Sequence, residues 1–426
     1  MYHYVGTNPS VRHPLLRRRY QLLGGLLFAT GLPLLVRTAI DPAVLTFHGN
    51  QLTLVGAAIA HILGYFIYRR LGTFPGLSAS SFILPTFALT YGAVFVLFFV
   101  LRLDYTRFQA VGSFLGSIVW YFSMHAFMLR LEPYRLAIVP LGNVERLKSL
   151  GGVNWHVLPS PSATFAAVQG VVADLRADMP ATWERFITQC VLSGVPVYHV
   201  KQVMESLTGR VEIEHLSENT LGSLNPNQAY LQLKQIMDWL AALAVLILAS
   251  PLLLILAVAI RLESPGPALF KQKRVGYHGK IFTVYKFRTM RREQAGGVSA
   301  KELAITLEHD PRITRLGNIL RRTRLDELPQ LLNILRGEMS WIGPRPEAEV
   351  LSRWYDAELP FYPYRHIVRP GITGWAQVNQ GHVADVNEVH EKLHYDFYYI
   401  KNISPWLDLV IVMRTIRIMI TGFGAK

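Results

Sequence analysis

Four stretches of this chain, residues 20–36, 51–68, 82–101 and 108–129, contain no Lys, Arg, Asp or Glu and are dominated by apolar side chains. Each is about as long as a helix needs to be to cross a bilayer. Four such runs in succession are too apolar for a water-soluble core, so the pattern predicts four membrane spans. Their flanks are uneven. Arg12, Arg17, Arg18 and Arg19 precede the first run, Arg69 and Arg70 follow the second, and Arg130 and Arg135 follow the fourth, while residues 41–50 carry no Lys or Arg. Basic residues stay on the cytoplasmic side, which places the N-terminus and everything beyond about residue 130 in the cytoplasm. No small-residue cleavage site follows the first run, so it reads as a span and not as a signal peptide.

Beyond residue 134 the period changes. Leu136–Pro140, Val153–Val157, Gly170–Asp174 and Val195–Tyr198 read as short strands, and Val144–Leu150, Ser162–Val168 and Trp183–Leu192 as helices between them. This alternation predicts a small parallel, Rossmann-like α/β domain over 135–222. The first strand runs into Pro140-Leu141-Gly142-Asn143 without a G-x-G-x-x-G turn, which points to a structural, oligomeric or regulatory role and away from nucleotide binding.

A fifth apolar run, residues 236–260, carries no charge after Asp238 and is centred on Ser250-Pro251. A full crossing would put Lys271, Lys273 and Arg274 outside, against the charge rule. Proline lacks an amide hydrogen and its ring strikes the carbonyl four residues back, and a serine hydroxyl can satisfy a freed carbonyl. A re-entrant hairpin broken at Ser250 and Pro251 is therefore expected, with a kinked span as the alternative. Residues 291–305, with Gly296-Gly297, read as a mobile loop. Trp406–Phe423, apolar with Arg414 and Arg417 on one side, reads as an interfacial helix.

Composition supports the membrane reading: hydrophobic residues make up 51 % and charged residues 17 % of the chain, and mean hydropathy is +0.24. The formal charge of +14 would suit nucleic acid in a soluble protein; behind an apolar anchor it suits anionic lipid and phosphorylated substrates, with no nucleic acid partner. The lone Cys190 excludes an intramolecular disulfide and any cysteine-cluster metal site and reads as a buried free thiol.

The densest chemistry lies at Asp326-Glu327, which follows Arg321, Arg322 and Arg324 and opens the apolar run Leu328-Pro329-Gln330-Leu331-Leu332. Three guanidinium groups can neutralise phosphates, one carboxylate can attack phosphorus and the other can hold a divalent cation. The same residues also suit a solvated helix start, with Thr323-x-x-Asp326 as a capping box.

Ser264-Pro-Gly-Pro267, Lys286-Phe-Arg288, Leu325-Asp-Glu-Leu-Pro-Gln330, Gly343-Pro-Arg-Pro346 and Val368-Arg-Pro-Gly-Ile-Thr-Gly-Trp-Ala-Gln377 together closely resemble the bacterial sugar transferases, the monotopic phosphoglycosyl transferases. The resemblance covers about residues 230–426, and the spans and α/β domain ahead of it are similar to the long-form members that act on undecaprenyl phosphate. It implies a three-part chain: a transmembrane region over 1–134, the α/β domain over 135–222, and a helix-rich α/β catalytic domain over 223–426 anchored by the re-entrant segment. It implies transfer of a hexose 1-phosphate from a UDP-sugar to undecaprenyl phosphate with release of UMP, as the first membrane step of exopolysaccharide, capsule or O-antigen synthesis. Asp326 is then the nucleophile that carries the phosphosugar, and Glu327 the ligand of magnesium, with manganese as a substitute. Lys286, Arg288, Arg321, Arg345, Arg365 and Asp396 are carried over as substrate-binding or site-ordering residues. The resemblance further implies the bacterial inner membrane and a homodimer. Arg324 and Trp341 depart from the usual pattern beside the dyad and before Gly343. His366, His382 and His394 have no triad-like neighbours and read as structural or substrate-adjacent. A catalytically inactive scaffold of envelope glycan assembly is the alternative, which the intact dyad opposes. A polymer-extending glycosyltransferase would need a D-x-D metal motif that the chain lacks.

Overall fold

In a computed structural model of the full chain, the described residues are 18–71, 79–131, 135–151, 153–161, 168, 170–213, 226, 228–291, 312–380 and 386–421. The predicted helix at 162–168 and mobile loop at 291–305 fall almost entirely outside them, as does His382. The chain divides into two compact units, Met1–Gly209 and Arg210–Lys426.

In the first unit the charge-free runs are helical: α1 (Arg18–Leu26) and α2 (Leu32–Ile40), joined by a π-helical turn at Leu27–Gly31, then α3 (His48–Leu71), α4 (Ile83–Val100) and α5 (Arg107–Leu131). With no water to satisfy backbone groups, a helix is the structure such segments can adopt in lipid. Polar side chains join them inside. His61 on α3 bonds Ser117 on α5 at 2.9 Å, and Tyr91 on α4 reaches the same hydroxyl at 2.9 Å. Such bonds hold together helices that have no hydrophobic drive toward one another.

The α/β part follows as predicted in kind. Strands β1 (Arg135–Ile138), β2 (Asn154–Val157), β3 (Val171–Ala173) and β4 (Val197–His199) form one parallel sheet in the order β2-β1-β3-β4. Helices α6 (Glu145–Lys148), α7 (Ala181–Leu192) and α8 (Val200–Thr208) accompany it. Trp183, Phe186 and Cys190 of α7 pack on one set of strand side chains, and Val144, Leu147, Val200 and Val203 on the other. Both faces are covered, as parallel sheets require. Helix α8 was not expected from the sequence. It starts where His199 Nδ1 accepts from Lys201 N at 3.0 Å and ends at left-handed Gly209, and its Val200, Val203, Met204 and Leu207 carried the helical spacing that marks it.

The second unit opens with α9 (Gln228–Glu263), one continuous helix through Ser250 and Pro251. The expected break is thus not a gap between two helices. Pro251 removes the donor that would reach Ile247 O, and Ser250 Oγ donates to that same carbonyl at 2.8 Å, so the proline leaves no orphaned acceptor there. Leu248, Leu254 and Leu262 are more than two-thirds exposed. A face this apolar needs lipid against it. With α9, the described residues hold five helices long and apolar enough to cross a membrane.

An antiparallel hairpin, β5 (Leu269–Val275) and β6 (Ile281–Phe287), follows, then α10 (Arg315–Thr323), a 3₁₀ turn at Leu325–Gln330 and α11 (Leu331–Leu335). Strand β7 (Ser340–Ile342) pairs in parallel with β8 (Gly371–Thr373). Around them lie α12 (Glu349–Glu358), a 3₁₀ turn at Tyr362–Ile367, α13 (Trp375–Asn379), α14 (Val386–Lys401) and α15 (Pro405–Thr421). A Cβ on Gly343 would stand 2.3 Å from Arg369 O, and one on Gly371 2.1 Å from Gly343 N. These glycines let two backbones cross where any side chain would collide. Helix α15 buries Leu407, Val410 and Ile411 completely, and its Arg414 stacks on Trp375 at 4.9 Å and bonds Asn379. The expected interfacial helix is therefore anchored in the domain along one side.

Candidate active site

Arg324 adopts a left-handed conformation, φ 59°, which ends α10 and begins the 3₁₀ turn. Asp326 and Glu327 follow, both buried. No capping box forms: Thr323 is the last residue of α10, and its hydroxyl donates backward to Ile319 O at 2.8 Å. The dyad's place is fixed from behind by Asn333, fully buried, which accepts from Tyr285 N at 3.2 Å and donates to Thr283 O at 2.7 Å. That amide splices the segment after the dyad onto β6, the strand that carries Lys286.

Lys286 Nζ lies 2.8 Å and Arg345 Nη2 3.0 Å from the same oxygen, Glu327 Oε1. Burial opposes ionisation of Glu327, but Arg345 and then Lys286 outweigh it and hold the carboxyl well below the usual carboxylate range. Asp326 is the opposite case. Burial and then the neighbouring Glu327 raise its pKa, partly countered by Lys286, Arg345 and Arg324. Its Oδ1 is buried without a hydrogen-bond partner among the described residues. A buried acceptor left without a partner calls for an explanation. Lys286 is lowered to about 8, by burial first, with Arg345 and Arg274 adding to the effect against Glu327.

The supporting layer was partly hidden from the sequence. Arg365, fully buried, bonds Asp396 Oδ2 at 2.8 Å, Tyr362 OH at 2.8 Å and Arg345 O at 2.9 Å. The Arg365–Asp396 pair thus grips the backbone that presents Arg345. Lys392 pairs with Glu347 at 2.5 Å, and Arg274 donates to Pro346 O. Asn333, Arg274, Glu347 and Lys392 were not expected as site residues from the sequence, because their partners lie far along the chain; the Asn333–Tyr285 bond spans 48 positions. Arg288 is used elsewhere, and Arg321 makes one bond elsewhere. Arg288 donates to Ser264 O, Ser264 Oγ and Ile260 O at 2.5, 2.8 and 3.2 Å and to Pro265 O at 2.8 Å, closing the end of α9. Arg321 Nε bonds Thr289 Oγ1 at 2.9 Å.

Among the described residues no group of three or more His, Cys, Asp or Glu side chains is arranged to hold a metal ion. Magnesium does not require one, since it binds through one or two carboxylates with water and substrate phosphates completing its shell. Glu327 Oε2, outside the two bonds to Oε1, fits that pattern.

Residues 229–422 match the bacterial sugar transferase family. The chain is 45 % identical over 377 residues, 88 % of each protein, to the UDP-N-acetylgalactosamine-undecaprenyl-phosphate N-acetylgalactosaminephosphotransferase of Aeromonas hydrophila. This chain belongs to the bacterial sugar transferases. Two further relatives match less of it: the UDP-glucose:undecaprenyl-phosphate glucose-1-phosphate transferases of Caulobacter vibrioides, 45 % identical over 45 % of this chain and 71 % of that one, and of Escherichia coli, 42 % identical over 43 % and 39 %. The sugar transferase match spans the dyad, the Lys286 strand and the Arg345 turn together.

Proposed function

We propose that this membrane transferase moves a sugar 1-phosphate from a UDP-sugar to undecaprenyl phosphate and releases UMP, through a phosphosugar carried on Asp326. The observation that carries this reading is the buried, unpartnered Asp326 Oδ1 beside a glutamate that already holds two cations. An Asp326 oxygen attacks the sugar-bearing phosphorus, and the bond from that phosphorus to the bridging oxygen breaks. UMP departs with the electron pair, its negative charge met by Lys286 and Arg345. A phosphate oxygen of the lipid then attacks the same phosphorus and expels the Asp326 carboxylate, leaving a lipid diphosphosugar. Glu327 would hold a magnesium ion, which when bound would supply further charge neutralisation.

The relative matched through both units takes N-acetylgalactosamine, which makes UDP-N-acetylgalactosamine the donor we put first. UMP release by the purified full-length protein, across UDP-sugars and with and without undecaprenyl phosphate, tests the reaction. Mass spectrometry of protein quenched with donor alone should find a phosphosugar on the peptide containing Asp326. Release of UDP, or an adduct elsewhere, would overturn the reading.

A further inference from the structure

Apart from the dyad, the second unit contains a second buried charge cluster. Tyr230, Lys234 and Asp238 recur every four residues on α9 and so share one face. Lys234 Nζ stands 3.0 Å from Asp408 Oδ2 on α15 and 3.5 Å from Asp238 Oδ2. Asp408 also accepts from Tyr230 at 2.7 Å and from Tyr399 of α14 at 2.9 Å, and Tyr399 OH lies 3.1 Å from Ile342 O. Asp238 accepts from Ser340 Oγ at 2.5 Å, and its carbonyl accepts from Trp341 Nε1 at 3.2 Å. Lys234 and Asp408 are buried. One cation thus faces two carboxylates, and three hydroxyls supply the remaining donors.

Every residue of β7 is held by this cluster: Ser340 and Trp341 through Asp238, Ile342 through Tyr399. Three residues past Ile342 stands Arg345, whose guanidinium lies 3.0 Å from Glu327. The Gly343–Gly371 crossing leaves the intervening backbone no slack. A displacement of β7 is therefore passed on to Arg345. We propose that Lys234, with Asp238 and Asp408, is a positioning group for the transfer reaction, setting through β7 the place of Arg345 against Glu327 and the departing phosphate. This rests on the reading of the site given above. It gives the apolar helix α9 a part in the chemistry besides anchoring.

The test is a double-mutant cycle in the full-length enzyme, read as UMP release. Lys234→Met should lower kcat/KM about 10- to 100-fold, and Lys234→Arg should restore most of it. Lys234→Met combined with Arg345→Ala should be within about twofold of Arg345→Ala alone, because both act through one group. If Lys234→Met does not fold, Ser340→Ala, which keeps both ion pairs, enters the same cycle. Additive losses, no rescue by Lys234→Arg, or wild-type rates in Lys234→Met refute the positioning role while leaving the reaction intact. A wild-type enzyme that releases no UMP refutes the reaction and the role with it.

Discussion

Asp174 and Asp326 are both aspartates beside basic residues at the ends of short elements, one in the α/β sheet and one in the catalytic unit, yet they are opposites. Asp174 accepts from Asn143 N at 2.9 Å and Arg176 N at 3.2 Å, with His199 Nε2 at 3.8 Å. Burial works to raise its pKa, but those two N–H donors, then His199 and Arg176, leave it below the usual value. It occupies the carboxyl ends of β1 and β3, the place where an open parallel sheet commonly receives a ligand. Gly142, at φ 73°, lets the loop close onto it: a Cβ there would lie 2.5 Å from Asp174 Oδ2. At Asp326, by contrast, Oδ1 is orphaned among the described residues and the pKa is raised. A carboxylate whose lone pairs are used holds a fold together, and one left wanting is available for reaction.

The contrast can be broken most directly by exchange to asparagine. Asp326→Asn should lose at least about 10⁴-fold in UMP release, the scale on which removal of a nucleophile acts, and should yield no adduct. Asp174→Asn should keep the wild-type rate. Glu327→Gln comes next, at about 10²- to 10³-fold, because Lys286 and Arg345 lose their shared anion and the leaving phosphate its organised partners. Steady-state UMP assays with a thermal melt of each variant separate this from unfolding.

The rate profile sharpens the comparison. Lys286 at about 8 is cationic below that pH and neutral above, so kcat/KM should fall as pH climbs through about 8. In the proposed mechanism Asp326 attacks as the carboxylate, and its pKa is raised, so the acid limb should lie above the ordinary aspartate range near 3.9. Both limbs are read from kcat/KM against pH. The smallest effect belongs to Asp174. Asp174→Ala should cost about 1–2 kcal/mol through the two N–H groups it deserts, seen as a lower melting temperature at an unchanged rate.

The sequence disclosed what depends on local pattern. Runs without charge became helices, and the α/β alternation became a parallel sheet. Asp326, Glu327, Lys286 and Arg345 converge because each belongs to a short stretch with its own recognisable chemistry. What stayed hidden depends on partners far along the chain. Nothing near Asn333 says that it will fasten β6, and nothing near Lys234 says that it will meet Asp408. Arg288 was ambiguous in principle, since guanidinium donors serve carbonyls and phosphates alike; the turn at Ser264-Pro265 uses them.

Glu327 Oε1 keeps Lys286 and Arg345 together before any substrate arrives. In the proposed reaction, an incoming pyrophosphate would meet cations that already have an anion, and its entry would be an exchange of one negative group for another. The cluster never stands as bare positive charge, which would repel itself and gather stray phosphates. Selectivity then comes from outcompeting a tethered carboxylate, a threshold that a diphosphate clears more easily than a single phosphate.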